Sequence, residues 1–330
     1  MKLKKCAALL LVSSCLLTGC TTSSAKKVDS KYVVASLEKG NKTKNIFADN
    51  LYKDIIDNSS NNSTVFNAVL QNLVDQKFPV NDDMKEDAAT IIKQIKSAYK
   101  SNYGDNYKDS LNQALTSAGY KNLSEYRQRM IKQIQYANFL LDYIDDHFDD
   151  VFNDYYQQCA PKYVSLIKIS VSDTSSPTDD ETSKLNEVKE LISNTDKSFG
   201  DIAQDYSNDS TSSKKGSLGI VDSKDTSGIA NSYGKDVFNA IEALSEGQVS
   251  DVITGDDGYY FVKVTSTDKK TLKKELKKTD IDSPLLAYDY LQYVVYNSYK
   301  INYKDKDIKK IVQEVVNKAL EERKTERGEA

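Results

Sequence analysis

The spacing of apolar residues changes rhythm several times along these 330 residues, and each change predicts a different element. An unbroken apolar run from Ala7 to Leu17 gives way to Thr21–Ser30, small and polar, which bury too little to fold and read as a tether. Tyr32 to Leu37 has the β-branched content of a strand, closed by a turn at Lys39-Gly40-Asn41-Lys42. From Ser63 to Leu141 the apolar positions recur at three-and-four spacing. Val65, Phe66, Val69, Leu70, Leu73 and Val74 mark one helix, and Ala88, Ile91, Ile92, Ile95 and Tyr99 a second. Asn81 with Asp82 and Asp83 caps the second. A third helix carries Tyr107, Leu111, Ala114 and Leu115 and stops at Gly119; a fourth runs from Ser124 to Leu141. Its continuation, Asp142 to Tyr156, reads as one aspartate-rich helix containing His147.

At Pro161 the pattern turns mixed. Strands are expected at Tyr163–Val171, Leu218–Val221, Val249–Thr254 and Tyr259–Thr265, and helices at Asp179–Ser193, Phe199–Tyr206 and Val237–Leu244. Helical periodicity resumes after Lys269 through Leu285, Leu291, Val294 and Val295. A strand-like Lys300–Tyr303 follows, then Ile308, Ile311, Val312, Val315 and Val316, with a charged and frayed last ten residues. Helical flanks around one mixed unit predict an insertion: the N- and C-terminal segments form one domain and the middle another.

Composition narrows the function. With 28% charged residues, a mean hydropathy of −0.59 and no second long apolar stretch, nothing past the first twenty residues is expected to span a membrane. The net charge of −4 argues against nucleic acid as a partner. One histidine in the whole chain leaves no room for most His-based triads. Neither a phosphate-binding glycine loop nor zinc spacing occurs, so no cofactor and no metal are expected. His147, alone among acids, reads as part of a solvated helix face rather than a ligand. Twenty-two tyrosines without a tryptophan, among them Tyr155, Tyr156, Tyr288, Tyr290, Tyr293 and Tyr296, either line a wet apolar cleft or stand in for phenylalanine in a half-buried core.

Lys2, Lys4 and Lys5, the apolar run and Leu17-Thr18-Gly19-Cys20 together resemble a bacterial lipoprotein signal. That resemblance implies cleavage after residue 19 and acylation of Cys20, which would anchor the protein to the outer face of the cytoplasmic membrane. Cys6 and Cys15 then leave with the signal. Cys159 remains as a lone thiol, either buried and inert or able to cross-link chains.

Four blocks in order, Phe199–Ser207, Asn208–Gly219, Asn239–Ser250 and Gly258–Val264, resemble a parvulin-type peptidyl-prolyl isomerase. The flanks, Val33–Leu37, Tyr103-Gly104-Asp105 with Gly119-Tyr120, and Ile301–Asp307, resemble the split chaperone-like domain of the PrsA foldase lipoproteins of Gram-positive bacteria. The fold this implies is α+β. A helical, SurA-N-like domain from residues 31–160 and 268–330 surrounds a parvulin-like domain at 161–267, behind a signal peptide at 1–19 and a lipidated tether at 20–30.

The same resemblance implies a membrane-anchored foldase for unfolded secreted proteins, with a homodimer as a further implication. Parvulins place two histidines at the floor of the site; here Leu166 and Tyr260 stand in their places. Asp209 matches the acidic position, as a catalytic group or as a loop residue. Leu218 keeps an apolar pocket position, and Val237 matches the phenylalanine that grips proline. With Leu166, these form the expected client-binding set, and Asp209 with Tyr260 the expected catalytic pair. Three functions follow: a chaperone with a degenerate isomerase module, a working isomerase with an altered site, or a solute-binding lipoprotein. The last requires two similar α/β lobes, and only one mixed unit is legible.

Overall fold

The computed structural model describes residues 27–39, 42–276 and 283–329. The signal segment, Cys20 and the tether up to residue 26 lie outside them. In chain order the elements are β1 (Lys27–Val28), β2 (Lys31–Lys39), β3 (Lys42–Phe47), α1 (Ala48–Ile56), α2 (Asn62–Lys77), α3 (Asp82–Tyr103), α4 (Tyr107–Ser117), α5 (Leu123–Asp146) and α6 (Phe148–Cys159). The mixed region follows with β4 (Lys162–Ser170), α7 (Asp179–Asn194), α8 (Phe199–Tyr206), β5 (Ser217–Val221), α9 (Ile229–Tyr233), α10 (Lys235–Ala243), β6 (Ile253–Gly255) and β7 (Gly258–Ser266). The chain closes with α11 (Lys269–Glu275), α12 (Leu291–Asn297) and α13 (Lys306–Glu326).

Two compact units result. One takes in residues 86–130 and 140–289; the other joins the described residues up to 85 with 131–139 and those from 290 onward. The N- and C-terminal segments thus share a unit, while residues 86–130 cluster with the α+β region.

In the second unit, β1, β2 and β3 form an antiparallel sheet in that order. Residues 27–30, expected as tether, instead form β1 and its turn. Asp29 and Ser30 take φ of 50° and 65°, the left-handed pair that a two-residue hairpin requires. The core of this unit packs α2 and α13 through Phe66, Leu70, Val74, Val312 and Val316. Phe66 stacks on Tyr293 at 5.0 Å and meets the edge of Tyr296 at 5.1 Å. Tyr296 is buried here, and Tyr155 and Tyr288 are buried in the other unit, so for these three the core reading of tyrosine holds.

In the first unit the four-stranded sheet has the order β5-β4-β7-β6, all antiparallel. Alternation splits its side chains between two faces. Val164, Leu166, Tyr260 and Val262 pack with Val237 and Ile241 on one face. Ile167, Ile169 and Phe261 pack with α7 and α8 through Leu185, Val188, Phe199 and Ile202 on the other.

Several local expectations are corrected. Asp142–Tyr156 is not one helix: α5 ends at Asp146 and α6 begins at Phe148. Asp145 and Asp146 oppose the negative end of a helix, whereas Asp149 and Asp150 favour the positive start of the next. His147 sits at the break, its ring stacked on Tyr143 at 4.0 Å and its Nδ1 3.0 Å from the Tyr143 carbonyl. The strand expected at Val249–Thr254 shortens to β6, because Val249 and Val252 pack on one side of the sheet and Ile253 on the other, which breaks strict alternation. Lys300–Tyr303 has no strand partner among the described residues. The last ten residues stay helical to Glu326, held by the Lys324–Glu321 pair at 2.7 Å and by Tyr290, whose hydroxyl donates to Glu326 at 2.7 Å.

Candidate functional site

Register brings the two expected histidine positions together. Lys168 on β4 lies opposite Tyr260 on β7, and Leu166 opposite Val262, so Leu166, Lys168 and Tyr260 project from the same face. Gly216 lets the chain pass close beneath. At its φ of 75° an added Cβ would stand 2.5 Å from the Leu166 carbonyl oxygen and 2.8 Å from Ala203 Cβ. Gly255 gives the Tyr260 ring its room, since a Cβ there would lie 2.6 Å from Tyr260 Cε2.

Asp209 is delivered by the loop after α8. Asn208 donates its backbone N–H to the Lys168 carbonyl at 2.7 Å, and the Lys168 N–H donates to Ser207 Oγ at 3.0 Å, pinning the loop to β4. The buried Asp209 carboxylate accepts the Thr211 N–H at 2.9 Å, an Asx turn that fixes its direction. The same oxygen accepts the Tyr233 hydroxyl at 3.4 Å. Tyr233, at the end of α9, meets Tyr260 edge to face at 6.1 Å. Tyr260 donates its hydroxyl to Asp257, which also pairs with Lys168, and the Lys168 ammonium lies 5.6 Å over the Tyr260 ring.

The polar line Asp209, Tyr233, Tyr260, Asp257, Lys168 thus crosses an apolar surface. Burial, and then the hydrogen bond to Asp257, raises the Tyr260 hydroxyl far above the ordinary phenol value. Burial followed by the Asp209 charge does the same for Tyr233. Both phenols therefore remain protonated donors at neutral pH. Lys168 first, and Tyr260 second, hold the Asp257 carboxyl below the usual carboxylate range.

All the expected site residues on the mixed domain fall in this region, but not all are reachable. Leu166 is 0% and Val237 1% exposed, and both pack beneath the site within its apolar cluster. Leu218, Tyr233 and Phe238, half-buried against the same cluster, form the accessible apolar rim. Cys20 lies outside the described residues. Sequence reasoning missed Tyr233, Asp257 and Lys168. The signal for Lys168 was its place two residues beyond Leu166 on an alternating strand; Tyr233 and Asp257 had none, since a five-residue helix and a turn bring them in. Among the described residues no group of three or more His, Cys, Asp or Glu could hold a metal. The site offers no nucleophile with an adjacent base. It provides an apolar rim, two neutral hydroxyl donors and two carboxylates, Asp209 and Asp257.

Residues 166–266 match the PPIC-type PPIASE domain family, also called rotamase. The chain is 31% identical over 140 residues to the foldase protein PrsA of Staphylococcus aureus strain MRSA252 and to that of Staphylococcus epidermidis strain ATCC 12228. The match covers 40% of this chain and spans 41% of the length of each relative. Among solved structures, PrsA from Bacillus subtilis aligns with a TM-score of 0.36 and 21% identity, over 85% of this chain and 98% of that one. Foldase protein PrsA from Streptococcus pneumoniae aligns with the same score and identity, over 84% and 98%. Residues 166–266 are thus similar to the PPIC-type PPIASE domain family, within a chain that resembles the PrsA foldases over part of its length.

Proposed function

We propose that the protein is an extracytoplasmic foldase of exported chains, anchored through acylated Cys20, in which client holding outweighs prolyl isomerisation. An X-Pro bond isomerises over tens to hundreds of seconds across a barrier of about 18–20 kcal/mol, and an emerging chain exposes sticky segments throughout that wait. The observation that carries the reading is the floor of the isomerase site. The buried Leu166 and a Tyr260 hydroxyl committed to Asp257 occupy the positions where the parvulin resemblance puts histidines. Rotation about an amide needs no covalent step, only removal from water and donors aimed at the twisted bond. A floor without imidazoles, its phenol hydroxyl committed to Asp257, orients this less well. The proposed organisation keeps a chaperone-like domain from residues 31–160 and 268–330 around the isomerase domain at 161–267, and pairing of two chains belongs to the same proposal.

A second reading, an active isomerase with an altered site, is favoured by one feature: the buried Asp209 carboxylate beside the Tyr233 hydroxyl. One experiment separates them. On the mature chain starting at residue 20, isomerisation of a short prolyl peptide is measured beside suppression of aggregation of an unfolded client. Turnover within a few-fold of the spontaneous rate, with aggregation suppressed at stoichiometric protein, is the expected result. Fast turnover that collapses in Asp209→Ala would establish the second reading instead.

A further inference from the structure

Large apolar side chains exposed on the described surface concentrate in one place. Tyr32 and Val34 on β2, Ile46 on β3, and Leu51, Tyr52 and Ile55 on α1 are each between 43% and 47% exposed. Only Tyr103 joins them from elsewhere among the described residues. Helix α1 buries no residue at all, although Leu51, Tyr52 and Ile55 share one side of it. Single exposed apolar residues are ordinary on a protein surface, but six of them within residues 32–55 make a patch that calls for a partner.

Charge and tether length select the partner. Residues 27–56, from β1 through α1, hold six lysines and four acids, a net of +2, in a chain whose net charge is −4. Lys27 stands 4.5 Å from the centre of the Tyr32 ring, so a cation and an amphipathic aromatic occur side by side. Six residues lie between Cys20 and Lys27, and the seven steps from one to the other reach at most about 25 Å. If Cys20 is acylated, β1 cannot leave the neighbourhood of the lipid surface. A basic, aromatic and aliphatic element held there meets anionic headgroups at high effective concentration.

We propose that the β1–β3 sheet with α1 docks directly on an anionic phospholipid membrane, its apolar side chains entering the headgroup region while its lysines meet lipid phosphates. The inference rests on the anchored reading for its proximity, but the affinity belongs to the patch itself. Docking would turn the anchor from a free leash into a fixed base.

The test uses the mature chain, residues 20–330, with Cys20→Ser so that no acyl group contributes. The chain contains no tryptophan, so Leu51→Trp supplies a reporter without background. The expected result is co-flotation with vesicles of equal phosphatidylglycerol and phosphatidylcholine, a blue shift of Trp emission on binding, and loss of both in high salt or on phosphatidylcholine alone. Val34→Ser with Ile55→Ser, at exposed positions where folding is spared, should weaken partitioning about tenfold. Absence of flotation, or flotation indifferent to lipid charge and to these substitutions, overturns the proposal. An emission shift that follows protein concentration without vesicles assigns the patch to a second copy and also overturns it. Mass analysis of the N-terminal peptide from membranes tests the anchor separately. Acylation without vesicle binding sinks only the docking, and vesicle binding without acylation sinks only the anchor.

Discussion

Asp257 lies in the turn before β7 and gains its place in the site only because two strands bring Lys168 and Tyr260 to it. Its folded carboxyl titrates below its ordinary value of 3.8, with the Lys168 hydrogen bond as the largest cause. A group whose value is depressed on folding stabilises the fold above its unfolded value, and that stabilisation fades as pH falls through the folded one. Urea unfolding of the unsubstituted protein and Asp257→Asn should therefore differ at pH 7 by less than about 1 kcal/mol, since the Asp257 side chain is 65% exposed. The difference should shrink below pH 4; one that stays constant down to pH 2.5 would exclude the ion pair as its source. At this scale the sequence reading found Leu166, Tyr260 and Asp209 by position. Tyr233 and Asp257 were invisible, and Lys168 showed only through its alternation with Leu166, because no local pattern carries the strand register that joins them.

Helix ends show how far local chemistry alone can specify an element. Thr178 and Glu181 form a reciprocal capping box at the start of α7, with Glu181 Oε2 accepting the Thr178 N–H at 2.8 Å. Asn81 Oδ1 accepts the Met84 N–H at 2.9 Å at the start of α3, as its position in the chain predicts. The end of α10 is different. Lys162, at the start of β4, donates its ammonium to the carbonyls of Ile241 at 2.9 Å, Glu242 at 2.6 Å and Leu244 at 3.1 Å. A cation from another element thereby satisfies the orphan carbonyls and the negative end of the helix dipole. Lys162→Met keeps the stem but removes these bonds and should cost about 1–3 kcal/mol in chemical denaturation. An unchanged midpoint would mean that water replaces the ammonium. Nothing near residue 244 in the sequence announces this cap, and β3, α1 and α9 likewise went unread.

Across each unit, buried polar pairs tie segments distant in the chain. In the unit of residues 86–130 and 140–289, Tyr155 on α6 donates to the buried Asp222 carboxylate at 2.8 Å just past β5, and Tyr288 donates to Asp154 at 2.8 Å. Cys159 ends α6 fully buried, its carbonyl accepting the Ser223 N–H at 2.9 Å. Burial above all, with the Asp222 charge next, pushes its thiol up to about 12. An aromatic disulfide reagent at pH 8 should leave the native Cys20→Ser mature chain unmodified and titrate one thiol per chain once it is denatured. Rapid native modification would instead support the cross-linking role. The amino-acid sequence by itself determined the helical and mixed regions, the sparse titratable chemistry and the order of isomerase-like blocks, because period, caps and composition act over a few neighbouring residues. Tertiary structure alone decided which of those residues are buried, Leu166 and Val237 among them, that Tyr233 and Asp257 bond to Asp209 and Tyr260, and that α1 keeps its apolar side uncovered. Each of these depends on strand register and long-range closure, which no local pattern carries.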